Sequence, residues 1–178
     1  MLKEIVSFLE KVESSELYIK WKKEHSKSFL SSCFSIGNDI QELKWQIDFY
    51  DPHDKKITSF VIDENKNIKC KEEDIFKQPK DVINELELNK VKIDLDKAVL
   101  KLDKWRKRKF PGEMPSQRIF VLQNLNTIVW NITLINTSFN VLNIKIDAIK
   151  GSLIDHSLTN VMGFKDKTYD KSKIDKIF

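Results

Sequence analysis

Residues 129–147 read Val-Trp-Asn-Ile-Thr-Leu-Ile-Asn-Thr-Ser-Phe-Asn-Val-Leu-Asn-Ile-Lys-Ile-Asp, and this stretch decides the fold class. Apolar and polar residues alternate on both sides of Asn136-Thr137-Ser138, which is a turn sequence. A period of two indicates strands with one buried face, and a turn between two such strands indicates an antiparallel hairpin. The stretch therefore predicts two paired strands, 129–136 and 139–147.

A helix is predicted upstream of this hairpin, over residues 95–109. Leu95, Val99 and Leu102 recur at helical spacing, Asp94 is a suitable N-cap, and Phe110-Pro111-Gly112 ends the pattern. Further strands are predicted over 118–123 and 152–158. The first half of the chain shows the same order of elements, with a helix over 2–23 and strands over 29–36, 43–50 and 57–63.

The two halves also share landmarks at one offset. Trp21 and Trp105 lie 84 residues apart, and Trp45 and Trp130 lie 85 apart. These pairs account for all 4 tryptophans of the chain. We therefore predict an α+β protein built as a tandem repeat, in which each helix packs on one face of a three- or four-stranded antiparallel meander. The predicted parts are a first unit 1–72, a helical linker 73–93, a second unit 94–162 and a polar C-terminal tail 163–178.

The second unit resembles a PepSY-type domain over residues 94–155. The resemblance rests on the helix start at 96–99, the helix end at Phe110-Pro111-Gly112, the strand opening at Trp130 and the final turn Ile146-Asp147-Ala148-Ile149-Lys150-Gly151. A degenerate version fits residues 10–70, where Asn67 replaces the last glycine. The resemblance implies a cystatin-like fold and a binding or inhibitory role.

The basic character of the chain belongs to one segment. The 178 residues carry 31 Lys+Arg against 27 Asp+Glu, a net charge of +4. Residues 97–109 contribute +6 of this, so the remainder sums to −2. The end of this segment could contact phosphates through its cationic side chains, Lys104, Arg106, Lys107, Arg108 and Lys109. Alternatively, these cations lie in solvent at the C-terminal end of a helix, where they interact favourably with the helix dipole. A third possibility is that they bind an acidic protein.

The motifs of common catalytic and cofactor sites are absent from the sequence. With 4 glycines there is no phosphate-binding loop, and the lone Cys33 and Cys70 form no metal motif. His25, His53 and His156 are scattered, and the acidic residues around His53 suggest a turn in water. We therefore expect no enzyme activity, no cofactor and no metal. The N-terminus lacks the apolar centre of a signal peptide, which predicts a cytoplasmic protein.

The predicted function is a non-catalytic binding or regulatory module that acts on a protein or a small ligand. Its expected binding residues include Asn131, Thr133 and Lys145, which face outward on the second sheet. The alternative is binding of nucleic acid, or another polyanion, through residues 104–109. A protein partner is expected, nucleic acid is the second possibility and a membrane is not expected. The partner's identity and the oligomeric state stay open.

Overall fold

The computed structural model describes residues 2–74, 82–112 and 114–160. Within them lie three α-helices and eight β-strands. The helices are α1 (Leu2–Glu13), α2 (Glu16–Glu24) and α3 (Leu95–Lys109). The strands are β1 (Phe29–Ile36), β2 (Gln46–Asp51), β3 (Lys56–Ile62), β4 (Ile68–Asp74), β5 (Pro115–Asn124), β6 (Ile128–Asn136), β7 (Asn140–Asp147) and β8 (Leu153–Asn160).

Side-chain hydrogen bonds set the helix boundaries. The hydroxyls of Ser14 and Ser15 donate to backbone carbonyls of α1, and Ser15 then accepts from the Tyr18 amide as the N-cap of α2. These bonds divide the predicted helix 2–23 into α1 and α2. Asp94 Oδ1 accepts from the Leu95 amide at 2.7 Å and from the Leu2 amide at 2.9 Å. One carboxylate therefore caps α3 and ties it to the start of α1.

The strands form one antiparallel sheet in the order β4-β3-β2-β1-β5-β6-β7-β8. The α+β class is confirmed, but the predicted tandem repeat of two helix-plus-meander units is wrong. β1 pairs with β5 from Ser32 opposite Gln123 to Ile36 opposite Ile119, so both sets of strands belong to one eight-stranded sheet. Alternation along a strand indicates which side chains share a face, but it does not say which strand lies beside it.

A single core lies between the helices and one face of this sheet. Trp21 of α2 packs on Phe60, and Trp105 of α3 packs on His156 of β8. Trp45 and Trp130 meet across the centre with ring centroids 6.2 Å apart. Burial of Trp130, Phe120 and Leu122 is complete. The opposite face, which we call the open face, has no described helix packed on it.

Two parts of the predicted organisation lie partly or wholly outside the described residues. Of the predicted helical linker 73–93, residues 75–81 are not described. Residues 82–93 contain a 3-10 turn at Leu88–Lys90 and are joined to the sheet by hydrogen bonds from the Leu86 amide to the Leu30 carbonyl and from the Ile93 amide to the Ala148 carbonyl. The predicted tail 163–178 also lies outside. Strand β4 was missed by the sequence analysis, because Lys69, Lys71 and Glu72 give it little apolar character.

Candidate functional site

Helix α3 presents a basic surface on the side away from the core. Its buried side carries Leu95, Ala98, Val99, Leu102, Trp105 and Arg106. The opposite side exposes Lys97, Lys104, Lys107 and Arg108 around Leu100, which is 58% exposed. We call these four cations the α3 basic face. None of them makes an ion pair with another described residue. Their charge is therefore available to an anionic partner.

Helix position explains only part of this charge. The C-terminal end of a helix carries a partial negative charge, which favours Lys107, Arg108 and Lys109 in the last turn of α3. Lys97 lies in the first turn, where the partial charge is positive, and Lys104 lies outside the last turn. The dipole therefore cannot account for a cationic surface that runs the length of the helix.

Arg106 occupies a different place from its neighbours. Its side chain is 3% exposed and lies under the helix, with Nε 3.7 Å from Asp103 Oδ1. Asp103 also approaches Arg118 of β5 at 3.6 Å, which links the helix to the sheet. A buried guanidinium in this position packs and pairs within the fold, so its side chain does not reach a partner at the surface. Lys109 is exposed and lies at the end of α3.

The other predicted binding residues lie together on the open face. Asn143 donates to Asn131 Oδ1 and to Thr133 Oγ1, both at 2.8 Å. Lys145 lies 3.3 Å from Asp155 Oδ2 on β8. The fold thus brings Asn131, Thr133 and Lys145 onto the neighbouring strands β6 and β7. These strands belong to the single eight-stranded sheet and not to the separate second sheet that was predicted. The polar groups of these residues already contact Asn143 or Asp155 within the sheet. Fewer donors and acceptors are therefore left for hydrogen bonds to a ligand.

An apolar strip crosses the centre of the open face. Phe34 lies opposite Val121, and Ile36 lies opposite Ile119, along the β1–β5 junction. Phe34, Val121 and Ile119 are half-buried, and Ile36 is 46% exposed. Apolar groups at the middle of a sheet face with no described helix on it form a surface of the kind that proteins use for docking.

Two cavities among the described residues differ in size and in access to solvent. A cavity of about 20 Å³ lies between α3 and the sheet, lined by apolar side chains such as Leu102, Trp105 and Ile144. This volume is close to that of one water molecule. A wider groove of about 290 Å³ lies beside Lys3, Phe8 and Ile62, and it is open to solvent.

The sequence suggested that the acidic residues near the β2–β3 turn are exposed to solvent. Two of them, Asp48 and Asp51, are buried instead. Asp48 is buried on the open face, where Ser32, Ser59 and Gln46 donate to it. Asp51 is buried on the helix side, where His25 lies 2.9 Å away. The sequence analysis missed this pairing, because 26 residues separate the two positions and no local spacing predicts their contact.

The thiol of Cys33 is inside the core, with no exposed surface. Burial raises the pKa of this thiol, and the nearby charge of Asp48 raises it further. The thiol therefore stays protonated at neutral pH, and a protonated thiol is a poor nucleophile.

Comparisons with known proteins give a distant likeness only. A scan against models of protein families and a search of curated protein sequences found no match. A solved structure from Clostridium difficile 630, described as a "putative lipoprotein", is similar with a TM-score of 0.47 and 17% sequence identity. The likeness covers 81% of this chain and 91% of that chain. The PepSY-type resemblance stays a prediction.

No helix in the described residues combines the length and apolar character needed to cross a bilayer.

Proposed function

We propose that this protein is a non-catalytic binding module that binds nucleic acid through the α3 basic face. The observation that carries the proposal is the set of four exposed cations, Lys97, Lys104, Lys107 and Arg108, with no ion pair to another described residue. Like charges gathered on one face repel one another, so a polyanion that neutralises them gains free energy. Counterions released from the phosphates add to this gain.

The dimensions of the surface suit a phosphate backbone. Residues 97 and 108 are about 16 Å apart along the helix axis at 1.5 Å per residue. The exposed side carries no aromatic ring, because Trp105 is buried. Stacking on bases is therefore not available on this helix face. We expect contacts to phosphates without sequence preference, and dissociation constants of about 10⁻⁴ to 10⁻⁶ M at physiological salt.

The salt dependence tests this proposal. With four phosphates neutralised, log K should fall with log[salt] with a slope of about −3.6 for a DNA duplex and about −2.8 for a single strand. Fluorescence anisotropy of a labelled 20-nucleotide DNA, as duplex and as single strand, measures both slopes. The variant Lys104→Gln with Arg108→Gln should reduce each slope by about half.

A matched control separates a localised site from general net charge. Lys20→Gln with Lys23→Gln removes two exposed lysines from α2 and changes the net charge by the same amount. We expect this control to keep the slope of the unaltered protein. Equal losses in both variants, or no binding to either DNA at 50 mM salt, would reject the α3 basic face as the site.

Protein docking on the open face is a second candidate. The apolar strip of Phe34, Ile36, Ile119 and Val121 favours it, and so does the binding role that the PepSY-type resemblance implies. Affinity capture with Ile36→Asn measures it, with Leu100→Asn on α3 as the control for an exposed apolar residue. A partner lost with Ile36→Asn and kept with Leu100→Asn supports the open face. A partner that both variants keep excludes the strip.

A further inference from the structure

A histidine and three carboxylates meet where α2 ends beside the β2–β3 turn. His25 Nδ1 lies 2.9 Å from Asp51 Oδ2 and 3.6 Å from Asp54 Oδ2. Ligand atoms of these three residues all lie within 4.8 Å of one another. On the other side of the ring, Nε2 lies 3.5 Å from Glu72 Oε1 of β4. The end of α2 and the β2–β3 hairpin, which are distant in sequence, therefore present N and O donors to one point.

The fold holds the imidazole in a defined orientation. The Trp21 ring stacks on it, with centroids 4.9 Å apart and an angle of 22° between planes. The His25 amide donates to the Trp21 carbonyl at 3.0 Å, and the His25 carbonyl accepts from the Ser28 amide and hydroxyl. A ring fixed on both its face and its backbone loses little freedom when it binds a ligand.

We propose that His25 Nδ1, Asp51 and Asp54 bind one divalent first-row transition metal ion, with Zn²⁺ as the representative, and that Glu72 orients the histidine. Zinc bonds of about 2.0–2.2 Å place tetrahedral ligands about 3.3 Å apart, close to the observed 2.9 and 3.6 Å. The ligand atoms of the three residues lie up to 4.8 Å apart. Rotation of Asp54, whose side chain is 41% exposed on a turn, can shorten the longer separations. One nitrogen with oxygen donors suits these metals, whereas Ca²⁺ and Mg²⁺ prefer oxygen alone.

Glu72 lies where a metal site usually has a carboxylate that orients the histidine ligand without touching the metal. A histidine that binds metal through one nitrogen usually donates from the other to a carboxylate, which fixes the tautomer and the ring orientation. Nε2 lies 3.5 Å from Glu72 Oε1, with Nδ1 left facing Asp51 and Asp54. A small rotation of Glu72, whose side chain is 42% exposed, would complete this hydrogen bond. Lys56 lies 3.6 Å from the second oxygen of Glu72, and His53 Nδ1 lies 2.6 Å from Asp54 Oδ1. Lys56 compensates part of the negative charge, and His53 contacts Asp54 through the oxygen that does not face His25.

Asp51 is held in place by the fold. The His53 amide donates to Asp51 Oδ1 at 2.8 Å, while Oδ2 faces the His25 ring, and the side chain is 6% exposed. One carboxylate oxygen is therefore fixed by the backbone and the other is directed to the donor point.

Isothermal titration of the full chain with Zn²⁺, after removal of metal with a chelator, tests the site. We expect one saturable site and a rise in melting temperature of roughly 5–10 °C at Zn²⁺ a hundredfold above Kd. Asp54→Asn, which alters an exposed turn residue, should weaken binding at least tenfold. Glu72→Gln should weaken it about 10–100-fold as a positioning residue. Co²⁺ should give visible absorption bands that both variants diminish.

Glu64→Gln is the matched control, because it also removes one exposed carboxylate from a turn, the one between β3 and β4 at the other end of β3. It should leave Zn²⁺ affinity unchanged. Three results would overturn the proposal: no saturable binding of Zn²⁺, an equal loss in Glu64→Gln and Asp54→Asn, or a melting-temperature rise with Ca²⁺ or Mg²⁺ as large as with Zn²⁺.

Discussion

Truncation of one leucine at the β1–β5 junction tests whether the eight strands unfold as one unit. Leu122 has no exposed surface, and it lies opposite Cys33 of β1 and Trp130 of β6. Leu122→Ala removes three carbons from a closed core, and such changes cost about 3–5 kcal/mol, because the cavity only partly collapses. We take about 3 kcal/mol as the expected loss.

Hydrogen exchange followed by mass spectrometry reads this loss in separate parts of the sheet. If one core serves all strands, the most protected amides of β2 and of β6 open only with the whole fold. A loss of 3 kcal/mol then speeds exchange by about 150-fold in both strands. Leu100→Ala is the control, because this side chain is 58% exposed and its truncation should change exchange little.

The outcome that would refute this reasoning is asymmetric exchange. If Leu122→Ala speeds exchange in β5–β7 while β2 and β3 keep their protection, the two strand sets open independently. Contact between Trp45 and Trp130 would then contribute little to cooperativity.

Two further predictions concern buried polar groups. Burial lowers the pKa of His156, so the unfolded chain takes up a proton before the folded one, and stability falls as the pH drops below about 6.5. His156→Phe should lessen this fall, measured as urea midpoints at pH 7.5 and 5.5; an unchanged fall would contradict it. Asp48 accepts three side-chain hydrogen bonds of 2.7–2.8 Å, from Ser32, Ser59 and Gln46. Asp48→Ala should cost about 2–4 kcal/mol in denaturant unfolding, against less than about 1 kcal/mol for Asp155→Ala on the same face; equal costs would contradict it.

Part of the α3 basic face could be predicted from the sequence alone. Lys104, Lys107 and Arg108 are exposed on α3, as their places in the helical pattern predict. The burial of Arg106 was also readable, because Leu95, Val99, Leu102 and position 106 follow one helical stripe. The charge of the side chain obscured that signal.

Local patterns by themselves determined most elements of this protein. The predicted strand 29–36 coincides with β1, and Asp94 caps α3 as predicted. These features depend on residues within a few positions of one another, so spacing and turn chemistry are sufficient to find them.

Tertiary structure alone decided how the elements meet. The pairing of β1 with β5, and so the single sheet, depends on hydrogen bonds between residues nearly ninety positions apart. The approach of His25 to Asp51 and Glu72 likewise depends on where α2 ends over the sheet. A one-dimensional pattern records which side chains face the core, but neighbours across the fold are chosen by packing of the whole chain.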